Sequence, residues 1–275
     1  MKKAIAALLC VILILPLFGC GNRAGSSDLW GEASPSTSAL LLYSYDIKGG
    51  RVSITFDQTD EQAILDRLSA VKATPATNWT AKQVKLPVYG IEIGSADGQG
   101  VRAAWSNGYL IMRDGSVYEF DFDFSALEKD YKWENWDRVI TSLSDMPCGR
   151  LLSEGPKGWI STHMSPSANK SAPANISMTV TGQTADALTV ELTNNGSTEW
   201  LYGEYFSLNV LLDDVWYDVP VLDDKNYGFT SIGIVLQAGE SHEQTYGLSI
   251  YGTLPAGDYR LVVEGLSAEF SIPKA

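Results

Sequence analysis

The sequence is poor in the side chains that metal and thiol chemistry draw on. Its 275 residues include two histidines and three cysteines, too few for a histidine-rich metal centre, a zinc ribbon or a disulfide-stapled scaffold. Positive charge is also short: 20 Lys and Arg stand against 33 Asp and Glu, a formal net charge of −13. Nucleic-acid binding depends on Lys and Arg contacts to phosphate, so this balance argues against a nucleic-acid partner. Gly-x-Ser-x-Gly, His-Glu-x-x-His and a phosphate-binding glycine loop are all missing, so the sequence assigns no catalytic residue, no cofactor and no metal ligand. Beyond the N-terminus there is no apolar run of the roughly 18 residues that would span a bilayer. What remains is a chain with 45% hydrophobic and 19% charged residues, able to fill a core and long enough for two domains of ordinary size.

The N-terminus reads as an address. Met1-Lys2-Lys3 is a short basic start, and Ala4 to Leu15 is an apolar run of the length of a signal-peptide core. Leu17-Phe18-Gly19-Cys20 closes it and resembles the lipobox of bacterial lipoproteins. The resemblance implies that residues 1–19 are a signal peptide and that Cys20 is the lipid attachment site and first mature residue. The expected location is the outer face of the bacterial cytoplasmic membrane, with the membrane a partner through that lipid. Residues 20–38, rich in Gly, Ser, Ala, Pro and Thr, read as a flexible tether. Cys10 leaves with the leader, so Cys148 is the sole thiol of the folded part and reads as a buried core residue.

Residues 39–150 are expected to form an α+β domain, a β-meander with two helices. Leu40 to Ile47 and Arg51 to Phe56 alternate around Gly49-Gly50 as a hairpin. Thr59 and Gln62 fit a capping box ahead of Ile64, Leu65, Leu68 and Val71 at helical spacing. Val88 to Ile93, Val101 to Trp105, Tyr109 to Arg113 and Ser116 to Phe122 read as strands, with turns at Ala96-Asp97-Gly98, Asn107-Gly108 and Asp114-Gly115. In Glu119 to Phe124 carboxylates and aromatics alternate. The carboxylates suit either a hard-cation site or a solvated strand face, and the second is preferred because the spacing of a calcium loop is missing. Ser125 to Glu128 is a second capping-box pattern. Trp136, Val139, Ile140 and Leu143 are spaced as a helix over 133–143, which would pack Trp136 and leave Trp133 as a surface aromatic. No family resemblance is carried by this domain.

Residues 151–175 read as a linker with a short strand near Gly158 to Thr162 and a solvated His163. From there the texture is that of short alternating strands separated by turns. They run Ile176 to Val180, Leu188 to Thr193, Phe206 to Leu212, Val215 to Val219, Gly233 to Leu236, Glu243 to Tyr246, Tyr259 to Glu264 and Ala268 to Ile272. That pattern predicts a β-sandwich over 176–275 and makes the chain mainly β. Specific motifs sharpen it: Thr193-Asn194-Asn195, Tyr202 to Leu208, Trp216 to Pro220, Leu236 to Glu240 and the closing Tyr251-Gly252-Thr253-Leu254-Pro255-Ala256-Gly257-Asp258-Tyr259-Arg260. In this order they resemble a bacterial Ig-like domain of the kind found in Gram-positive lipoproteins. Pro255 and Gly257 are expected to set a turn of unusual φ, Tyr259 to point inward as a corner residue, and Trp216 to sit at the core. Asp213, Asp214, Asp218, Asp223 and Asp224 around the Trp216 strand read as a charged loop and edge in preference to a cation site.

Three functions compete on this reading. The first is a membrane-anchored interaction module for an envelope protein, peptide or glycan, with the acidic charge favouring a basic partner. The second is a cell-wall-active hydrolase with a carboxylate pair. The third is a protease inhibitor presenting Ig-like loops, which rests on fold analogy alone.

Overall fold

The computed structural model describes residues 29–31, 39–94, 100–168, 171–223 and 228–274. Cys20, the leader, the Ala96-Asp97-Gly98 turn and Asp224 lie outside the described residues, as does all of the 20–38 stretch except 29–31.

The opening alternation folds as a hairpin, β1 (Leu40–Asp46) against β2 (Gly49–Thr55), with Leu42 opposite Ser53. Helix α1 (Gln58–Ser69) follows. Its cap is Asp57 and not Thr59: the Asp57 carboxylate accepts the Thr59 N–H at 2.9 Å, because it stands one residue before the first helical turn, where the free amides point. Ile64 and Leu68 are fully buried. Strands β3 (Ala73–Pro75), β4 (Val88–Ile93), β5 (Val101–Ser106), β6 (Tyr109–Met112) and β7 (Val117–Phe120), helix α2 (Phe124–Asp130), strand β8 (Glu134–Ile140) and helix α3 (Gly149–Ser153) complete the domain. The sheet is antiparallel throughout, in the order β3-β7-β6-β5-β4-β1-β2-β8. Asn107 and Gly108 both take positive φ between β5 and β6, as their hairpin requires.

The aromatic-acidic run divides at Phe120, where β7 ends. Phe120 and Phe124 are 1% exposed, and Asp123, not Ser125, caps α2 by accepting the Ser125 N–H and hydroxyl at 3.0 and 2.7 Å. The hydrogen bond from Ser125 holds the Asp123 carboxyl below its ordinary range.

The helix expected over 133–143 is a strand. β8 pairs with β2, placing Trp136 opposite Val52. Without it, β2 would leave its outer row of amides and carbonyls unpaired, and the Trp, Val and Ile of the segment favour extended backbone. The consequence for the tryptophans is a reversal. Trp136 is 46% exposed, whereas Trp133 packs against the core and its Nε1 donates to the Leu127 carbonyl at 2.8 Å. Trp79 is half-buried and also packs inward. The register shifts between Gly50 and Val52, a bulge that twists this edge.

Both faces of the sheet are covered. One packs on α1 and α2 through Leu42, Ile91, Leu110 and Phe120. Trp30, from the stretch read as a tether, is 3% exposed in this core and meets the Phe120 ring edge-on at 6.3 Å. A free tether therefore does not describe residue 30. The other face takes Tyr43, Ala104 and Ile111 against Met146, Cys148 and Leu152. Gly90 permits this second layer, since a Cβ there would lie 2.7 Å from Pro147 Cδ. Cys148 is buried, as expected, and burial pushes its thiol well up.

The 151–175 segment carries a small hairpin, β9 (Glu154–Gly155) with β10 (Gly158–Trp159). His163 is not simply solvated: its Nδ1 lies 2.7 Å from the Leu152 carbonyl. The remaining strands are β11 (Ile176–Gln183), β12 (Ala187–Asn194), β13 (Trp200–Tyr202), β14 (Ser207–Leu212), β15 (Val215–Asp218), β16 (Ile234–Leu236), β17 (Ser241–Gly247), β18 (Gly257–Val263) and β19 (Leu266–Ile272). They make a β-sandwich of two main antiparallel sheets, β11-β12-β17 and β15-β14-β18-β19, with a β13-β16 ribbon beside them. Inward residues alternate as the period of two demands: Leu188, Val190 and Leu192 from one sheet face Tyr259, Leu261 and Val263 from the other.

Tyr259 is fully buried and donates to the Pro255 carbonyl at 2.6 Å, the expected corner. Trp216 is not the core residue. It stands opposite Leu211, while Tyr217, opposite the buried Val210, is the β15 side chain that packs inward. Trp216 is left half-exposed with the Arg260 guanidinium 4.6 Å over its ring. The core is centred instead on Tyr259, stacked on Phe270 at 5.7 Å. Nor does Gly257 take a special φ; Gly252, at φ +65°, does. Asp213 and Asp214 both have positive φ because they form the two-residue turn between β14 and β15.

Candidate functional site

The described acids do not gather into a metal centre: no group of three or more His, Cys, Asp or Glu is poised for a cation among the described residues. Nor is any described helix long and apolar enough to cross a membrane. The chemistry lies instead at the junction of the two domains, which three sets of contacts build.

The first set is an ionic relay. Register places Glu92 of β4 directly opposite Arg102 of β5, and the Arg102 Nη2 lies 3.0 Å from Glu92 Oε1. The other arm of Arg102 reaches Asp223 of the second domain at 3.1 Å. Glu92 also accepts from the buried Tyr43 hydroxyl at 2.9 Å, and that hydroxyl accepts from Arg138 Nη1 at 2.9 Å. Burial, followed by the Glu92 charge, pushes the Tyr43 phenol far up, so it stays a donor. Burial also raises the Asp223 carboxyl, against the opposing pull of Arg102.

The second set is centred on Arg150 of α3, which is 4% exposed. Its guanidinium pairs with Glu154 at 2.7 Å, donates to the Thr253 carbonyl at 2.8 Å and stacks 4.2 Å over Trp159. Trp159 in turn donates to the Tyr259 hydroxyl at 2.9 Å. The corner of the sandwich is thus tied to a helix of the first domain. The third set runs along residues 165–167, which add beside β15. Pro166 bridges Tyr217, the Ser167 amide donates to the Trp216 carbonyl at 2.8 Å, and the Asp218 amide donates to the Ser165 carbonyl at 2.9 Å. The Ser165 hydroxyl reaches back to Asp145 at 3.1 Å.

Between these ties lies a cleft of about 640 Å³. Arg102 and Arg138 stand on one wall, and Phe206, Phe229, Tyr251 and Leu222 supply apolar surface from the other. Asp218 lines it too. Its carboxylate accepts from Asn209 Nδ2 at 2.7 Å, and burial pushes it above its ordinary range. Asp145 is held by Thr141 and Ser142 at 2.7 to 3.0 Å. The lining is mixed, more polar than apolar, and a concave space on which fixed polar groups and aromatic side chains converge is a usual form of ligand site.

The residues singled out from sequence are placed apart. Cys148 lies under the sheet and His163 beside Leu152; the second histidine of the chain, His242, lies against the Tyr202 hydroxyl at 2.5 Å. Of the aspartates around Trp216, Asp218 and Asp223 line the cleft, whereas Asp213 and Asp214 form a turn. Arg102, Arg138, Arg150 and Glu92 escaped sequence reasoning. Only Arg150 carried a signal, a charge next to the apolar Leu151-Leu152.

Comparison with curated proteins gives no match. Residues 172–271 match the family model of the bacterial Ig-like domain. With the sandwich, the inward Tyr259 and the ordered motifs already in place, this portion of the chain is a bacterial Ig-like domain.

Proposed function

We propose that the protein is a lipid-anchored, extracytoplasmic binding protein that takes a ligand in the cleft between its α+β domain and its bacterial Ig-like domain. The cleft is the observation that carries this reading. Most of its charged groups, Arg102, Asp145, Arg150, Asp218 and Asp223 among them, are already held in ion pairs and hydrogen bonds, which suits a preformed recognition surface better than a reacting centre. Arg138, whose described partner is the neutral Tyr43 hydroxyl, offers the cleft a cation, and the aromatic wall offers apolar contact. Cys20 is the anchor, and the membrane the first partner.

Two measurements test it. Labelled palmitate should enter the wild-type chain and not Cys20→Ser, with the variant released from the membrane. Cell-wall glycan and peptide fragments should shift resonances of Tyr251 and Phe229, and Val221→Trp, which fills the cleft, should abolish those shifts. Unchanged labelling in Cys20→Ser, or hydrolysis of the fragments by the purified protein, would overturn the reading.

A further inference from the structure

The most exposed apolar side chains of the bacterial Ig-like domain gather on and beside the β13-β16 ribbon, with Val215, at the β14-β15 turn, standing apart from them. On its three-stranded sheet the outward positions are polar. Thr189 hydrogen-bonds Thr245 at 3.0 Å, Thr193 bonds Ser241 at 2.8 Å, and Glu191 stands opposite Glu243. The β13-β16 ribbon breaks this rule. Leu201 and Val235 stand directly opposite one another, and they are 64% and 48% exposed. Ile232, just before β16, is 63% exposed. Their neighbours Trp200, Tyr202, Ile234 and Leu236 belong to the sandwich core or pack against it, so the ribbon's alternation is intact and its outer face is apolar. A contiguous apolar pair held in water is favourably covered by a partner.

Two further features say what covers it. β13 has β16 on one side and, among the described residues, no strand on the other, leaving an edge that an extended chain can pair with. The surroundings are acidic. Glu199 precedes β13, and Glu204 follows it with its carboxylate fixed by the Thr230 hydroxyl at 2.8 Å. Between Lys170 and Arg260 the sequence holds one Lys or Arg, Lys225. A second copy would bring like charge against like charge, and an anionic membrane surface would be repelled in the same way.

We propose that the outer face of the β13-β16 ribbon docks an extended basic segment of a partner protein. Its apolar side chains cover Leu201, Val235 and Ile232, and its Lys or Arg residues lie beside Glu199 and Glu204. This deepens the interaction-module reading and uses a surface separate from the cleft.

The test uses the mature chain and a capped synthetic peptide alternating lysine and valine. It should bind, shift the Leu201 and Val235 methyl resonances, and weaken when salt is raised to about 0.5 M. The Leu201→Ser/Val235→Ser variant, checked for an unchanged melting curve, should bind about tenfold more weakly. Val221→Trp, which closes the cleft, should bind the peptide as wild type does; loss of binding there would place the peptide in the cleft and overturn the proposal. Four further results would overturn it: no binding at millimolar peptide, equal binding of a glutamate-valine peptide, equal binding of a lysine-serine peptide, or self-association removed by the double substitution.

Discussion

Tyr259 carries the most informative single atom in the fold. Its hydroxyl donates to the Pro255 carbonyl at 2.6 Å and accepts from Trp159 Nε1 at 2.9 Å, while its ring stacks on Phe270. Tyr259→Phe keeps the ring and removes both bonds. Trp159 is half-buried, so its freed N–H regains water and the loss is that of an ordinary hydrogen bond, about 1 kcal/mol. The Pro255 carbonyl, on a residue that is half-buried as well, loses its partner with partial access to water, which adds about 1 kcal/mol. The expected destabilisation is therefore about 2 kcal/mol in the transition of the second domain. Urea unfolding followed by tryptophan fluorescence reads it. A cycle with Trp159→Phe isolates the tie between the domains, and the two substitutions together should cost about 1 kcal/mol less than the sum of each alone. A Tyr259→Phe effect below about 0.5 kcal/mol, or additivity within about 0.3 kcal/mol, would refute the bridge.

Trp30→Ala should lower the stability of the first domain by about 3–5 kcal/mol in thermal or urea melts, as expected for a large side chain removed from a core. Substitution in a free tether would change nothing measurable. Gly90→Ala should destabilise by about 1–3 kcal/mol because its Cβ meets the Pro147 ring at 2.7 Å and Tyr43 Cβ at 3.2 Å, both with little room to yield. Gly182→Ala, whose Cβ would sit 3.4 Å from Thr189, is the near-neutral control. Glu61 is 1% exposed with Oε2 unpartnered, and burial raises its carboxyl to about 7. The folded state thus holds a proton that the unfolded chain has released, so stability should fall as pH rises from 4.5 towards about 7. Glu61→Gln should flatten that slope in melts taken across the window.

The elements written into local pattern were legible. The bounds of β4 are those that its alternation indicates, and the Asn107-Gly108 turn follows from the positive φ that a hairpin demands. The sandwich and its Tyr259 corner were readable because both rest on short-range spacing. β8 was not, since Trp136, Val139, Ile140 and Leu143 satisfy a helical period and only the open edge of β2, more than 80 residues upstream, decides against it. Trp216 failed for a related reason. Which β15 side chain points inward depends on its register with β14, and composition is silent on register. The cleft was invisible altogether, because Arg102 meets Asp223 across 121 positions of chain.

Burial of Trp30 also sets a distance. With an acyl chain on Cys20, ten backbone steps separate the lipid from an indole locked inside the first domain, and at about 3.5 Å each they reach no farther than about 35 Å. Under the proposed anchoring, a leash of that length would keep the body close above the headgroups instead of letting it sweep the depth of the cell wall. Such a molecule would sample the layer next to the bilayer. It would meet membrane proteins, nascent wall precursors and freshly exported chains well before anything at the outer surface of the cell.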